Sequence, residues 1–259
     1  VDPQALLRLA ESSARQAGTL LLERFSEPAR GLDSKSTATD LVSDADRDAE
    51  TLILERIGDE RPRDGVLAEE GGTAPSSSGL TWVIDPLDGT INFLFGIPVW
   101  CVSIAVRDDR GAVAGVIHNP SLDETYTATR GGGAFLNASR IQVSAASDLS
   151  QALIGTGFSY DSQARTEQAS ILQRVLPRVR DIRRGGSAAL DLASVACGRL
   201  DGLYEAPMEP WDKAAGVVLI EEAGGMVSDL QAPFGLTPGV IAANPVLHEE
   251  LHRLVALGP

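Results

Sequence analysis

The chain has 259 residues, 22 Lys and Arg against 36 Asp and Glu, and a formal charge of −14. Its 43% hydrophobic and 22% charged residues suit a globular protein, long enough to build a large core without disulfides or a structural metal. The acid excess excludes general nucleic-acid binding, which needs clustered Lys and Arg, and apolar runs such as 214–220 fall far short of the roughly 18 residues of a membrane span.

Leu6, Leu7, Ala10, Ala14, Ala17, Leu21 and Leu22 recur at helical spacing and predict an amphipathic helix over about 3–25. The polar stretch 31–40 has no apolar period and reads as a surface loop. A second helix is expected over 43–57, with Ala45, Ala49, Leu52 and Ile53 on one face. Strands follow at 65–68, 80–84, 99–106, 112–117 and 124–129, most of them separated by Gly, Pro or Asp clusters. The Ser/Gly/Pro-rich segment 71–79 reads as a flexible connection. Beyond about residue 140 the pattern changes, and strands (152–155, 202–204, 226–228, 240–242) alternate with helices (165–179, 187–198, 212–223, 245–257). Asn244 before Pro245 is a helix start, and Gly224 and Gly225 close the helix before it. A strand-rich half (1–140) and an alternating half (141–259) predict an α/β protein of layered sheets and helices in one compact unit. Cys101 and Cys197 sit in apolar contexts and read as buried free thiols of a cytoplasmic protein. No signal segment opens the chain.

The chemistry concentrates in WVIDPLDGT at 82–90. An apolar strand ends in Asp85, Pro86 locks its own φ, and Asp88 follows three residues on, so two carboxylates share one tight turn with the Leu87 carbonyl between them. The ordinary use of Asp beside Pro and Gly is an Asx turn. Asp212 and Asp46 also have ordinary readings, the first as a helix N-cap, the second in a capping-box spacing from Ser43. Yet Glu69-Glu70 closes an apolar strand and Trp211-Asp212 opens an apolar helix, the places where α/β proteins put ligand sites. If Glu69, Asp85, Asp88 and Asp212 converge, a cation must balance them. An all-oxygen set selects Mg²⁺ over Zn²⁺. His118, His248 and His252 fit no metal site, and the last two are expected to be solvated. There is no P-loop, GTG at 155–157 lacks the third glycine of a dinucleotide fingerprint, and GFSYD at 157–161 lacks the closing glycine of a nucleophile elbow. A carboxylate-held Mg²⁺ without a side-chain nucleophile points to metal-activated water and phosphate ester hydrolysis.

These motifs resemble those of the inositol monophosphatase family, within the lithium-sensitive Mg²⁺-dependent phosphatase superfamily. DPLDGT at 85–90 is similar to its DPxDGT motif, Glu69-Glu70 to its upstream acidic pair, and WDKAAG at 211–216 to its WDxAAG motif. Lys35 with DLVSDAD at 40–46 is similar to its lysine loop and the acidic segment after it. The matches run in order from about residue 5 to 250. Ser43 stands where many members have Thr, and Leu87 where Ile is common.

The resemblance implies a five-layered αβαβα sandwich, usually a homodimer, inhibited by Li⁺ and by excess Mg²⁺. It implies that Glu69, Asp85, Asp88, Asp212 and the Leu87 carbonyl hold two or three Mg²⁺ ions, with Mn²⁺ as a substitute. Asp46 and Thr90, with Glu69, would orient and deprotonate the attacking water, and the Gly89 and Thr90 amides would hold the phosphate. Gly186, Ser187, Ala188 and Glu205, with Asp88 and Asp212, would contact the substrate, and Lys35 would ride on a mobile loop. The implied substrate is inositol monophosphate or a related small polyol phosphate. Glu205 would repel a second phosphate, an argument that weakens if Arg183 or Arg184 points inward. It would also pair with an amine, which keeps histidinol phosphate open as an alternative. A non-catalytic regulatory binding protein of the same fold is a third reading.

Overall fold

The computed structural model describes residues 2–25, 33–34, 41–42, 44–232 and 235–256. The helix α1 (Pro3–Phe25) opens the chain and buries Leu6, Ala10, Ala14, Ala17 and Leu21 along one stripe, as the spacing predicts. The short strands β1 (Asp33–Ser34) and β2 (Leu41–Val42) pair antiparallel; Lys35, Asp40 and Ser43, with most of the expected loop 31–40, lie outside the described residues. Helix α2 (Asp44–Glu60) follows.

The next eight strands are β3 (Gly65–Ala68), β4 (Thr73–Ala74), β5 (Thr81–Asp88), β6 (Cys101–Asp108), β7 (Gly111–Asn119), β8 (Glu124–Thr129), β9 (Gly133–Leu136) and β10 (Ser139–Arg140), with the short helix α3 (Thr90–Leu94) after β5. They form one sheet in the order β10-β9-β8-β7-β6-β5-β3-β4, antiparallel except where β3 runs parallel to β5. The chain then makes β11 (Leu153–Thr156), α4 (Ser162–Val175), β12 (Asp181–Arg183), α5 (Ala188–Ala196), β13 (Gly202–Glu205), α6 (Pro210–Glu222), β14 (Met226–Leu230), β15 (Gly239–Ala243) and α7 (Pro245–Ala256). Its strands form a second sheet, β12-β11-β13-β15-β14, parallel on the β12-β11-β13 side and antiparallel beyond it.

Five layers result. Helices α1 and α2 cover one face of the larger sheet, α5 and α6 lie between the two sheets, and α4 and α7 cover the outer face of the smaller one. The central helices pack closely because small residues let them. A Cβ on Gly115 of β7 would lie 2.6 Å from Val218 and 3.0 Å from Ala215 of α6, and one on Gly216 would lie 2.5 Å from Leu192 of α5. Burying α6 against both sheets also explains its nearly continuous apolar run. Asn244 caps α7 as expected, accepting from the Val246 and Leu247 amides.

Some expectations need correction. Strand β5 does not stop at residue 84 but runs through Pro86 to Asp88, and its pairing with β6 shifts register between Asp85 and Asp88. The segment 71–79 contains β4, and β9, β10, β12 and α3 have no counterpart among the elements predicted from sequence, being too short to show a period. Helix α4 starts earlier, on the Asp161 cap, and gives way at Leu176 to a 3₁₀ turn holding Pro177. His248 is not solvated: it is buried and its Nε2 lies 3.0 Å from Ser228 Oγ. Cys101 is buried, but Cys197 is only half-buried.

Candidate active site

Strand β5 is buried along most of its length, so the carboxylates at its C-terminal end are carried deep into the fold. The register shift at Asp85–Asp88 re-aims side chains as bulges do. The Asp85 Oδ1 accepts from the Leu87 amide at 3.0 Å, which is the Asx turn that Asp beside Pro makes anyway. Gly89 then takes φ +93°, and a Cβ there would lie 2.8 Å from the Val99 carbonyl, so only glycine fits. Helix α3 starts at Thr90. The Thr90 Oγ1 lies 3.0 Å from the Leu87 carbonyl oxygen and 3.1 Å from Asp46 Oδ1, with one proton to donate between them.

Asp88 meets the second half of the chain. Its Oδ2 accepts from Ser187 Oγ at 2.5 Å and from the Ala189 amide at 2.8 Å, so the carboxylate sits at the N-terminal end of α5, where a negative charge is favoured. Ser187 is itself the cap of that helix. Asp212 stands in the first turn of α6, and its Oδ2 accepts from the Glu209 amide at 2.7 Å within a capping box. The cap is Glu209 rather than Asp212 itself. The ordinary turn role of Asp85 is therefore real, whereas Asp212 is not the N-cap but the third helical residue, bonding back to the cap; both roles coexist with a place at the cavity, because each bond uses one carboxylate oxygen.

One cavity of about 390 Å³ gathers most of the residues singled out from the sequence. Glu69, Asp85, Leu87, Asp88, Gly89 and Thr90 line it from the first half of the chain. Gly186, Ser187, Ala188, Glu205 and Asp212 line it from the second. Asp46 is fully buried one hydrogen bond behind Thr90. Arg183 faces solvent and pairs with Asp181, whereas Arg184 lines the cavity.

The electrostatics are those of acids crowded together, with Arg184 at the same wall partly offsetting Asp191 and Glu205. Burial, followed by the charges of Glu69, Asp88 and Asp212, pushes the Asp85 carboxyl well above its ordinary range. Burial and the charges of Asp88 and Glu69 do the same to Asp212. Asp88 rises only to about 6, because the Ser187 and Ala189 hydrogen bonds oppose the burial. Burial raises Glu205 to about 8, helped by Asp191 and Asp88, and Asp191 to about 7, helped by Asp88. Among the described residues no three His, Cys, Asp or Glu stand as a formed ion site. The acids line one space rather than converging on one point. Their chemistry nonetheless fits a hard divalent cation, since the donors are all oxygen and the mutual repulsion calls for positive charge.

Sequence reasoning missed Asp191 and Glu209, which also line the cavity, and Glu50, which holds the turn after Glu69. Asp191 looks like an ordinary helix residue until α5 is placed beside Glu205. Glu50 had one available signal: it lies four residues after Asp46, on the same helical face.

The sequence matches the inositol monophosphatase family over residues 2–257. It is 42% identical over 255 residues to an inositol-1-monophosphatase of Mesorhizobium japonicum, covering 97% of this chain and 96% of that one. It is 40% identical over 244 residues to the Nus factor SuhB of Escherichia coli K12, covering 93% and 91%. The crystal structure of the extragenic suppressor protein suhB from Bartonella henselae superposes with a TM-score of 0.92 at 39% identity, covering 98% of this chain and all of that one. With five layers, this cavity and a match along almost its whole length, the chain belongs to the inositol monophosphatase family.

Proposed function

We propose that this phosphatase hydrolyses inositol monophosphate and related small polyol phosphates in a Mg²⁺-dependent reaction. The observation that carries the reading is the set of four carboxylates, Asp85 buried and Glu69, Asp88 and Asp212 half-buried, lining one cavity beside the Gly89–Thr90 turn. Those four and the Leu87 carbonyl would hold the ions. Bound Mg²⁺ supplies charge neutralisation on the phosphoryl oxygens and on the departing alkoxide, and acidifies water.

The rest falls to the chain. Thr90, fixed between Asp46 and the Leu87 carbonyl, orients a water together with Glu69, and Glu69 takes its proton. The Gly89 and Thr90 amides hold the phosphate, as helix starts do for anions. The alcohol part lies toward Gly186, Ser187, Ala188 and Glu205, where small side chains leave room for a ring and Glu205 accepts hydroxyl protons. Arg184 at the same wall weakens the exclusion of a second phosphate that Glu205 alone would impose.

The test is a panel of phosphate esters with added Mg²⁺ and, in parallel, with EDTA. Turnover of inositol 1-phosphate that disappears in EDTA supports the reading; equal turnover in EDTA sinks the metal requirement. A second reading, histidinol phosphate as substrate, is favoured by two carboxylates, Asp191 and Glu205, at the alcohol end. Comparison of kcat/KM on the two esters decides between them.

A further inference from the structure

The buried face of α2 carries Ala45, Ala49, Ile53 and Ile57, as an amphipathic helix should, and also two acids, Asp46 and Glu50. Acids on such a face depart from the pattern, and burying a charge is costly unless hydrogen bonds satisfy it. Asp46 is accounted for by Thr90. Glu50, 5% exposed, spends both its oxygens on the hairpin between β3 and β4. Its Oε2 accepts from the Glu70 amide at 2.8 Å and its Oε1 from the Gly72 amide at 3.1 Å. That hairpin turn begins with Glu69. The Glu69 amide is tied to the Ile84 carbonyl at 3.1 Å and the Ala68 amide to the Gly72 carbonyl at 2.8 Å, so the turn is anchored on the β5 side and on the α2 side at once. Gly72 permits the approach: a Cβ there would lie 2.7 Å from Leu54 and 3.1 Å from Glu50 Oε1.

Residues four apart on a helix lie one above the other. One rigid turn of α2 therefore holds Thr90 through Asp46 and the Glu69 turn through Glu50. We infer that Glu50 is a positioning residue, fixing the Glu69 turn relative to Thr90 from a common helix. The inference rests on the phosphatase reading of Glu69 and Thr90, and extends it to a residue outside the cavity. A carboxylate suits the task better than an amide, because both its oxygens accept and both bonds are charge-assisted; Gln can accept with only one.

The experiment compares the unmodified chain with Glu50→Gln, with Gly72→Ala, which pushes the turn off α2 from the other side, and with Glu55→Gln on the exposed face of α2 as a control. Turnover of inositol 1-phosphate with Mg²⁺, Mn²⁺ affinity by electron paramagnetic resonance, melting temperature and amide exchange are measured for each. For Glu50→Gln we expect kcat to fall about 10- to 100-fold, with KM within about twofold, and Mn²⁺ affinity to fall about tenfold, in the range found for partners that orient ligands. The Glu70 and Gly72 amides exchange faster, Gly72→Ala shifts kcat in the same direction, and Glu55→Gln changes nothing. A lower melting temperature with unchanged kcat and Mn²⁺ affinity would overturn the inference, leaving Glu50 a purely structural residue. If Glu50→Gln fails to fold, kcat and Mn²⁺ affinity of Gly72→Ala decide in its place: a fall in both supports the inference, and no change in either overturns it. Absence of both turnover and Mn²⁺ uptake in the unmodified chain would instead remove the phosphatase reading itself.

Discussion

At the start of β5, Trp82 donates its indole N–H to Asp64 at 3.0 Å, whereas at the far end Asp85 and Asp88 face other acids. Asp64 is buried too, and burial alone would raise its pKa, but Arg61 at 2.8 Å, Ser78 at 2.6 Å and Trp82 outweigh it and hold the carboxyl below its ordinary value. Asp85 is buried more deeply, and the charges that act on it most among the described residues are those of Glu69, Asp88 and Asp212, so it is pushed up. One strand thus separates a carboxylate whose hydrogen bonds and ion pair outweigh its burial from two carboxylates at a cavity whose burial and acidic neighbours outweigh theirs. The contrast supports the candidate site proposed at the second end, since strongly raised acids in a cleft are unfavourable for stability and useful for binding a cation.

The largest effect that would break this comparison is on Asp85→Asn. The amide keeps an acceptor for the Leu87 N–H but removes a charge. Turnover with Mg²⁺ is expected to fall about 10³-fold or more, while the EDTA-treated chain melts no lower than the unmodified one. A clear loss of metal-free stability would put Asp85 in the same class as Asp64. Next comes metal itself. Mg²⁺ at a hundredfold excess over its Kd should add about 2.7 kcal/mol of stability, read as a rise in melting temperature that Asp85→Asn abolishes. Asp64→Asn at the other end should cost about 2 kcal/mol by leaving Arg61 without its charge partner, with kcat of the folded protein unchanged; denaturant unfolding and an activity assay check both halves.

The smallest effect is the pH response, and the two ends should oppose each other. Raised acids make the folded chain hold more protons than the unfolded one, so each removes stability as pH rises from its unfolded value near 4 through its folded value, about 6 for Asp88 and about 8 for Glu205. In EDTA the melting temperature is expected to fall across that window, and to fall less with Mg²⁺ present. Asp64 has the other sign: its lowered pKa contributes stability above the ordinary carboxylate range and loses it as pH drops below. Deleting Asp64 should therefore flatten the acid limb only.

Much of the site was legible because its key acids sit in local signals. Asp85 and Asp88 lie in one turn whose shape Pro86 and Gly89 dictate, and Asp212 follows the Trp that opens an apolar helix. What local sequence cannot show is that α6 crosses behind β7 so closely that Gly115 and Gly216 are needed, and it is this packing that brings Asp212 to the cavity. The same limit hid Asp191, whose place depends on α5 meeting β13. It also misled on His248, which is buried where α7 packs against β14 and β15 and shares a hydrogen bond with Ser228. Layering itself was readable from the change in periodicity near residue 140, but strands of two or three residues such as β4, β10 and β12 were not, since so few residues show no alternation. The roles of Lys35 and Ser43 fall outside the described residues.

The chain leaves the larger sheet for the smaller one once, after Arg140, and does not return a strand to it. Three of the four acids precede that crossing and Asp212 follows it. A gene divided between codons 140 and 153 would give two polypeptides that each keep an entire sheet and neither of which owns the full set of acids. Hydrolysis by such a split protein would then report, titratably, on the association of its two pieces.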